Sequence, residues 1–272
     1  MVTARTFLVR GLLAGLIAGF LAFGVAYLVG EPPVAAAISL EEQGAAAEVR
    51  HPADHAADHA ADAGHSHGDG EEQATVSREN QATWGLLTAT VLFGTALGGI
   101  AGVAAAFAAG RLGPISARAS TAVVTGIGFL AVYLVPYLKY PPNPPAVGNP
   151  DTIGPRTAWY FAMLAVSVVA AVLGAVVARR LTSRWGAWNS WLTAAGGYLV
   201  VVLVAGWLLP IVDEVPAGFP ADLLWRFRTA SLTVQATRWA GIGLALATMI
   251  GIAVGRDRDR PRQAGQLAGT TA

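Results

Sequence analysis

The chain has 272 residues, of which 54% are hydrophobic and only 13% are charged, and its formal net charge is +1. This balance excludes an ordinary soluble globular domain and fits a protein that crosses a membrane several times. Cysteine is absent, which excludes disulfides, thiolate metal ligands, iron–sulfur clusters and a cysteine nucleophile.

Six apolar stretches are long enough to cross the hydrocarbon core, which is about 30 Å thick and takes about 20 helical residues. They lie at 7–29, 84–109, 118–138, 159–178, 191–209 and 234–254. The sequence therefore predicts an all-α integral membrane protein with a six-span domain over residues 1–254 and an Arg-rich tail over residues 255–272.

The arginines predict the orientation of these spans. With six spans, one side of the membrane holds only two acidic residues, Asp257 and Asp259, and most of the arginines. These are Arg5, Arg10, Arg111, Arg118, Arg179, Arg180, Arg184, Arg256, Arg258, Arg260 and Arg262. Positively charged loops favour the cytoplasm, so both termini are predicted to be cytoplasmic.

The first apolar stretch has two interpretations. Its basic start, apolar run and small following residues are also found in cleaved signal peptides. The run from residue 11 to 29 is longer than a usual signal core, however, and Gly11, Gly15 and Gly19 recur every four residues. Such spacing is typical of helix-packing faces in membranes, and Gly94, Gly98 and Gly102 repeat it in the second span. We therefore expect a retained first span.

Residues 39–80 form a long insertion between the first two spans and contain every histidine of the chain. The insertion has few large apolar residues, so we expect it to be disordered without a ligand. The predicted orientation of the spans places it on the extracytoplasmic side. His51, His55 and His59 are spaced by four and could share one face of a helix, with carboxylates nearby, and the stretch His65-Ser-His67 adds two more imidazoles. The candidate metal ligands are His51, His55, His59, His65, His67, Asp54, Asp58 and Asp62.

Imidazole and carboxylate ligands suit Co²⁺, Ni²⁺, Cu²⁺ and Zn²⁺ better than Mg²⁺ or Ca²⁺, and affinity order alone does not choose among the four. The alternative is an acidic spacer of low complexity in which histidine recurs. We favour an external collector that binds a divalent metal with moderate to weak affinity, because the segment must become ordered on binding.

A weak internal repeat indicates a grouping of the spans. The outward-running spans end in AYLVGEPP from Ala26, VYLVPYLKYPP from Val132 and GWLLPIVDEVP from Gly206. The returning spans begin with QATWGLL from Gln81, PRTAWYF from Pro155 and VQATRWAG from Val234. Three tandem hairpins, at 7–109, 118–178 and 191–254, would explain the repeat. Aromatic belts and proline-terminated helices are the alternative explanation.

Two polar stretches lie at the predicted outer boundary. VPYLKYPPNPPAVGNPD, residues 135–151, is expected to be non-helical because of its prolines. FPADLLWRFRTASLTVQATRW, residues 219–239, starts like a helix at Pro220 and Asp222 and is expected to lie amphipathically on the membrane surface. The residues predicted to converge at an outer transport mouth are Tyr137, Lys139, Tyr140, Asn143, Trp225, Arg226, Arg228, Gln235 and Arg238. Alternatively, these stretches are only a structured loop and a surface helix.

Several activities lack their residues in this sequence. A nucleotide-binding P-loop requires Gly-Lys-Ser/Thr, whereas Lys139, the only lysine, stands between leucine and tyrosine. No set of nucleophile, base and orienting residue indicates an enzyme, and no resident cofactor or nucleic-acid partner is predicted. We expect the apolar cores of the spans to contain no ionisable residue, which is unusual for a proton-coupled carrier. A wet pore, or assembly with a partner chain or further copies, would then be needed for a divalent ion.

LKYPPNPPAVG from Leu138 and FPADLLWRFRTASLTVQATRWAGIGL from Phe219 resemble stretches of the CbtA family of probable cobalt transporter subunits. The resemblance covers most of residues 7–254, outside the inserted loop. It implies Co²⁺ uptake across a bacterial inner membrane with a small single-span partner of the CbtB type, which usually carries the histidines. This chain departs from that division because it carries its own histidine loop.

Two functions of different class follow from these observations. The first is a membrane component for the uptake of a divalent transition metal, with Co²⁺ preferred and Ni²⁺ or Zn²⁺ as alternatives. The second is a non-transporting metal-gathering receptor or assembly factor that supplies another permease.

Overall fold

A computed structural model describes residues 3–50, 77–145, 147–148 and 152–269. The described residues form helices and no β-strand, which confirms the all-α prediction. The α-helices are α1 (Ala4–Val25), α2 (Glu31–Arg50), α3 (Arg78–Asn80), α4 (Leu86–Ala108), α5 (Ala117–Gly128), α6 (Val135–Lys139), α7 (Ile153–Leu208) and α8 (Ala221–Gly269). Three π-helical segments, Ala26–Gly30, Gln81–Gly85 and Phe129–Leu134, join neighbouring α-helices into longer rods.

Five helical stretches of the described chain are long and apolar enough to cross a membrane. They are Ala4–Gly44, Arg78–Ala108, Ala117–Lys139, Ile153–Leu208 and Ala221–Arg256. The first, second, third and sixth predicted spans each lie in a stretch of their own. The fourth and fifth predicted spans both lie in Ile153–Leu208. The number of spans therefore depends on whether this stretch is one helix or two.

Helix α7 turns back on itself at Gly186. This residue has φ 75° and ψ 163°, outside the helical region, and it separates an arm over 153–185 from an arm over 187–208. The arms are antiparallel, because the Ser167 hydroxyl lies 2.8 Å from the Tyr198 hydroxyl and Met163 packs with Val202. Residues 179–190 lie between the fourth and fifth predicted spans. Residues on both sides of Gly186 are helical, and this one glycine makes the turn.

Helices α1 and α4 approach each other through their glycines. A Cβ atom built on Gly11 would lie 2.3 Å from the carbonyl oxygen of Gly98, and one on Gly98 would lie 2.5 Å from Cα of Gly15. No side chain fits between backbones at these distances. The four-residue glycine spacing on both helices is therefore a packing face, as the sequence predicts.

Helix α8 packs chiefly against α1 and α5. Leu246 and Ile250 are fully buried beside Phe7 of α1 and Ala105 of α4. The arm over 187–208 instead packs against the arm over 153–185. The two helices of the predicted third hairpin, 191–254, thus find their main neighbours elsewhere, and whether the three hairpins superpose stays a prediction.

Proline lies within two of the joined rods. The amide of Glu31 donates to the carbonyl of Ala26, and the amide of Val135 donates to the carbonyl of Leu130. Both hydrogen bonds span five residues, as in a π-helix, instead of the four of an α-helix. Pro136 follows the second of these segments as an early residue of α6. The expectation that residues 135–151 are all non-helical is therefore wrong for Val135–Lys139, because a proline in a first helical turn needs no N–H partner.

Two further expectations need correction. Residues 39–50, predicted to belong to the disordered insertion, continue helix α2, and residues 78–80 are helical as well. Alanine and glutamate dominate residues 41–48 and favour helix. The stretch 219–239 does start a helix near Pro220, but that helix is continuous with the last predicted span. The helix is not interrupted between the two parts, and residues 221–239 contain no glycine or proline.

Candidate functional site

A polar cavity of about 480 Å³ opens where α6, the proline-rich loop after it, the start of α7, the loop 209–220 and the first turns of α8 meet. Five residues of the predicted mouth line this cavity. They are Tyr137, Tyr140, Asn143, Arg228 and Gln235. Residues from distant parts of the chain are therefore brought to one place, and the hydrogen bonds among them explain how.

Arg228 holds the proline-rich loop against α8. Its Nη2 donates to Oδ1 of Asn143 at 3.0 Å, and its Nε donates to the carbonyl of Pro142 at 3.4 Å. The hydroxyl of Tyr137 donates to the backbone carbonyl of Arg228 at 2.9 Å. Prolines leave carbonyl groups without helical partners, so a cation from α8 can take them as acceptors.

Tyr140 closes the other side of the loop. Its side chain is buried, and its hydroxyl donates to the carbonyl of Pro210 at 2.8 Å. Burial raises the pKa of this phenol. Lys139 lies outside the cavity wall, with Nζ 5.6 Å from the centre of the Tyr140 ring. The single lysine thus covers an aromatic ring at the rim.

An ion pair between Arg156 and Glu214 joins α7 to the loop 209–220 at the cavity wall. The Glu214 side chain is only 5% exposed, and the hydroxyl of Thr152 also donates to it. Sequence analysis missed these residues, although both lie in the repeated motifs PRTAWYF and GWLLPIVDEVP. The sequence did contain a signal for this ion pair, because Arg156 and Glu214 are opposite charges next to predicted helix ends on the same side of the fold.

Arg238 lies behind the cavity. It is 6% exposed, its Nη1 donates to Oε1 of the cavity-lining Gln235 at 3.0 Å, and its guanidinium carbon lies 5.0 Å from the centre of the Phe93 ring. The expectation that the span cores lack ionisable residues is therefore wrong for the last span. Arg238 is four residues inside the predicted boundary at 234, and the uninterrupted helix α8 buries it against Phe93 of α4.

Two further residues of the predicted mouth, besides Lys139 and Arg238, do not line the cavity. Trp225 is 69% exposed and Arg226 is exposed beside it, on the outer face of α8. Helical geometry separates Arg226 from Arg228, because residues two positions apart on a helix point to nearly opposite sides. Arg226 therefore offers a matched control for Arg228.

The predicted metal ligands of the inserted loop, His51 to His67 with Asp54, Asp58 and Asp62, lie outside the described residues. In the described ranges, no three histidine, aspartate or glutamate side chains come together as a metal site. The base of the loop is described: Arg78, at its end, forms an ion pair with Glu31 at the start of α2.

A groove of about 650 Å³ between α5 and α8 is larger than the polar cavity. Its wall consists mostly of alanine, glycine and other apolar residues, with Arg118 at one end. It offers few groups that could hold or orient a charged ligand, and so the smaller polar cavity is the candidate site.

A family model described as "probable cobalt transporter subunit (CbtA)" matches residues 4–251. The chain belongs to the CbtA family. The match includes every residue that lines the polar cavity, from Tyr133 to Gln235. Together with the apolar helices, it makes this chain a multi-pass membrane protein of a transporter-subunit family. Such a family is in general not one of enzymes. No curated protein and no solved structure matches the chain.

Proposed function

We propose that this protein is a membrane component for Co²⁺ uptake and that the polar cavity is its extracytoplasmic entrance. The observation that carries the proposal is the convergence of Tyr137, Tyr140, Asn143, Arg228 and Gln235 on one cavity. Membership of a family of probable cobalt transporter subunits indicates that the metal is cobalt. Nickel and zinc ions have similar ligand preferences and are the natural competitors.

The positions of the arginines support the proposed orientation. Arg118, at the start of α5, packs beside Gly251 of α8, and Phe7 of α1 packs beside Gly102 of α4. These contacts gather arginine-bearing helix ends at the end of the bundle opposite the cavity. In this proposal the two arms of α7 are two separate spans, so the chain has six spans. Both termini then lie in the cytoplasm, and the cavity faces the extracytoplasmic side.

The size of the cavity fits a hydrated metal ion. Six waters of about 30 Å³ each would occupy well under half of the 480 Å³. The described residues bring no metal-ligand cluster together, so a hydrated or otherwise complexed ion suits this cavity better than a dehydrated one. A single-span partner subunit of the CbtB type, or further copies of this chain, would complete the route through the membrane.

The histidine loop would collect metal ahead of the cavity. It is anchored at its base by Arg78 and Glu31, at the same end of the fold as the cavity in the proposed orientation. Its imidazoles and carboxylates suit Co²⁺ and related ions. Its acidic excess would also raise the local concentration of cations.

Uptake of ⁵⁷Co²⁺ into proteoliposomes tests the proposal. We expect accumulation by the purified chain alone or together with a CbtB-type subunit, and loss of accumulation in an Asn143→Ala, Arg228→Ala double variant. An Arg226→Ala variant is the control, because Arg226 is exposed outside the cavity. Binding of metal without accumulation in either preparation would reject transport and favour the metal-gathering receptor.

A further inference from the structure

The groove between α5 and α8 continues into a smaller pocket at the end of the bundle opposite the polar cavity. This end pocket has a volume of about 430 Å³, and Ser116, Arg118 and Thr248 line both it and the groove. The groove is open to the surroundings along its length, since Gly126 and Leu244 of its lining are exposed. An apolar groove thus ends in a pocket that offers two hydroxyl groups and a guanidinium.

The length of the groove matches one leaflet of a bilayer. Helices α5 and α8 are antiparallel, because a Cβ on Gly251 would lie 3.3 Å from Cδ of Arg118, and one on Gly128 would lie 2.6 Å from Cζ3 of Trp239. The aromatic residues of the lining, Phe129 and Trp239, therefore lie at the end away from Arg118. Arg118 and Phe129 are separated by about 16 Å of helix, and the hydrocarbon of one leaflet is about 15 Å thick. This length favours a single acyl chain over a partner helix that spans both leaflets.

The charge of the end pocket indicates what lies at the head of that chain. Of the described residues that line the groove or the end pocket, Arg118 alone is charged. No carboxylate in the described ranges forms an ion pair with it. The planar donors of a guanidinium match the oxygens of a phosphate group, and the positive end of the α5 dipole, where Ser116 caps the helix, adds to the attraction. The end pocket therefore suits the phosphate of a lipid headgroup.

The rest of the end pocket indicates the class of headgroup. Its described lining contains no carboxylate that could pair with the ammonium group of a choline or ethanolamine headgroup. The hydroxyls of Ser116 and Thr248 can instead form hydrogen bonds with the hydroxyls of a polyol headgroup. We propose that the groove and the end pocket bind one phospholipid of net negative charge, with its phosphate at Arg118 and one acyl chain between α5 and α8. This site goes beyond the proposed metal uptake and does not depend on it.

Lipid titration of the purified full chain in detergent, read out by native mass spectrometry, tests the headgroup site. The probes are phosphatidylglycerol and phosphatidylcholine with identical acyl chains. We expect one phosphatidylglycerol to bind the wild type at least tenfold more tightly than phosphatidylcholine, and Arg118→Gln to lose this preference. Arg184→Gln should bind like the wild type, because Arg184 is exposed and lines neither the groove nor the end pocket. Equal affinities for the two lipids in the wild type, or an equal loss in Arg184→Gln, overturn the proposal.

A pair of glycine variants tests the acyl-chain groove while Arg118 stays in place. Gly126 lines the groove, and a Cβ built on it meets nothing within 4 Å. Gly126→Leu therefore introduces an apolar side chain into the groove, and affinity for phosphatidylglycerol should fall at least fivefold. Gly196→Leu adds the same side chain on the second arm of α7, where a Cβ also meets nothing within 4 Å, and should keep the wild-type affinity. Unchanged affinity in Gly126→Leu overturns the proposal.

Two further measurements distinguish the lipid from other occupants. Phosphatidylglycerol should raise the unfolding temperature of the wild type more than phosphatidylcholine does, since a ligand of the native state stabilises it. Equal stabilisation by inorganic phosphate at the same concentration would show a site for free phosphate and overturn the proposal. The chain has no cysteine, so Gly126→Cys introduces a single thiol into the groove. A disulfide-linked dimer that phosphatidylglycerol does not prevent would place a second copy of the chain there and would also overturn the proposal.

Discussion

The guanidinium of Arg228 donates a hydrogen bond of 3.0 Å to the side-chain oxygen of Asn143, across 85 residues of sequence. This contact fixes the proline-rich loop to the first turns of α8. Because a loop rich in proline cannot form helical or sheet hydrogen bonds of its own, its position depends on such tertiary partners. This charged hydrogen bond is therefore one of the contacts that fix the shape of the cavity wall, together with the bond from Arg228 to the carbonyl of Pro142.

Replacement of Asn143 by alanine should lower metal uptake about tenfold. A hydrogen bond to a charged group contributes about 1.5–3 kcal/mol, and its loss frees the loop from Arg228. Cobalt-limited growth and initial rates of ⁵⁷Co²⁺ uptake measure the effect. Arg226→Ala should grow normally. Normal growth of both Asn143→Ala and Arg228→Ala would reduce these residues to a structural role.

Replacement of Gly98 by alanine should separate α1 from α4. The new Cβ would lie 2.3 Å from the carbonyl oxygen of Gly11, so the helices must move apart, at a cost of about 1–3 kcal/mol for overpacking. The unfolding temperature in detergent should fall by several degrees. Gly24→Ala on α1, where a Cβ meets nothing within 4 Å, is the control. Equal stability of the two variants would contradict the close helix contact.

Replacement of Gly186 by alanine should destabilise the turn between the arms of α7. Its φ of 75° with ψ of 163° belongs to a region that is essentially restricted to glycine, and strain there costs about 1–3 kcal/mol. We expect a lower unfolding temperature and more proteolysis near the turn. Gly196→Ala, in the second arm, meets nothing within 4 Å and should retain stability. A continuous straight helix in α7 would predict no such difference.

Replacement of Glu214 by glutamine should weaken the contact between α7 and the loop 209–220. The carboxylate is buried and paired with Arg156. Loss of one partner of a fully buried pair costs about 3–5 kcal/mol, but Arg156 is 33% exposed, so solvent screening should reduce the effect well below that. Thermal unfolding measures it. Asp213→Asn removes a neighbouring exposed carboxylate and should change stability less.

Deletion of residues 51–67 should leave the membrane fold intact and reduce uptake mainly when metal is scarce. Imidazoles with pKa near 6.5 are mostly neutral at pH 7 and bind metal, whereas protonation near pH 5 should release it. Calorimetry of a peptide of residues 45–72 with Co²⁺, Ni²⁺ and Zn²⁺ at pH 7.4 and pH 5 tests the chemistry. Binding that is absent, or unchanged at pH 5, would leave the segment as a spacer.

The apolar helices were predictable from the sequence, since each depends on residues that are neighbours in the chain. Membrane-length apolar runs need only local composition, and the glycine faces at Gly11, Gly15, Gly94 and Gly98 need only the helical period. Membership of the CbtA family was likewise expected from two local motifs and agrees with the match over residues 4–251. Helix bounds were less accurate, because proline in a first turn is compatible with helix.

The partners of the charged residues were decided by the tertiary structure alone. Arg228 and Asn143 were expected in one region, but nothing in the sequence specifies that Arg156 pairs with Glu214 or that Arg238 lies behind Gln235. Such contacts depend on which helices become neighbours. Helix α8 packs mainly against α1 and α5. In this packing the guanidinium of Arg238 is buried and forms no ion pair with a carboxylate of the described residues. Local sequence determines helices, whereas their packing determines which charges meet.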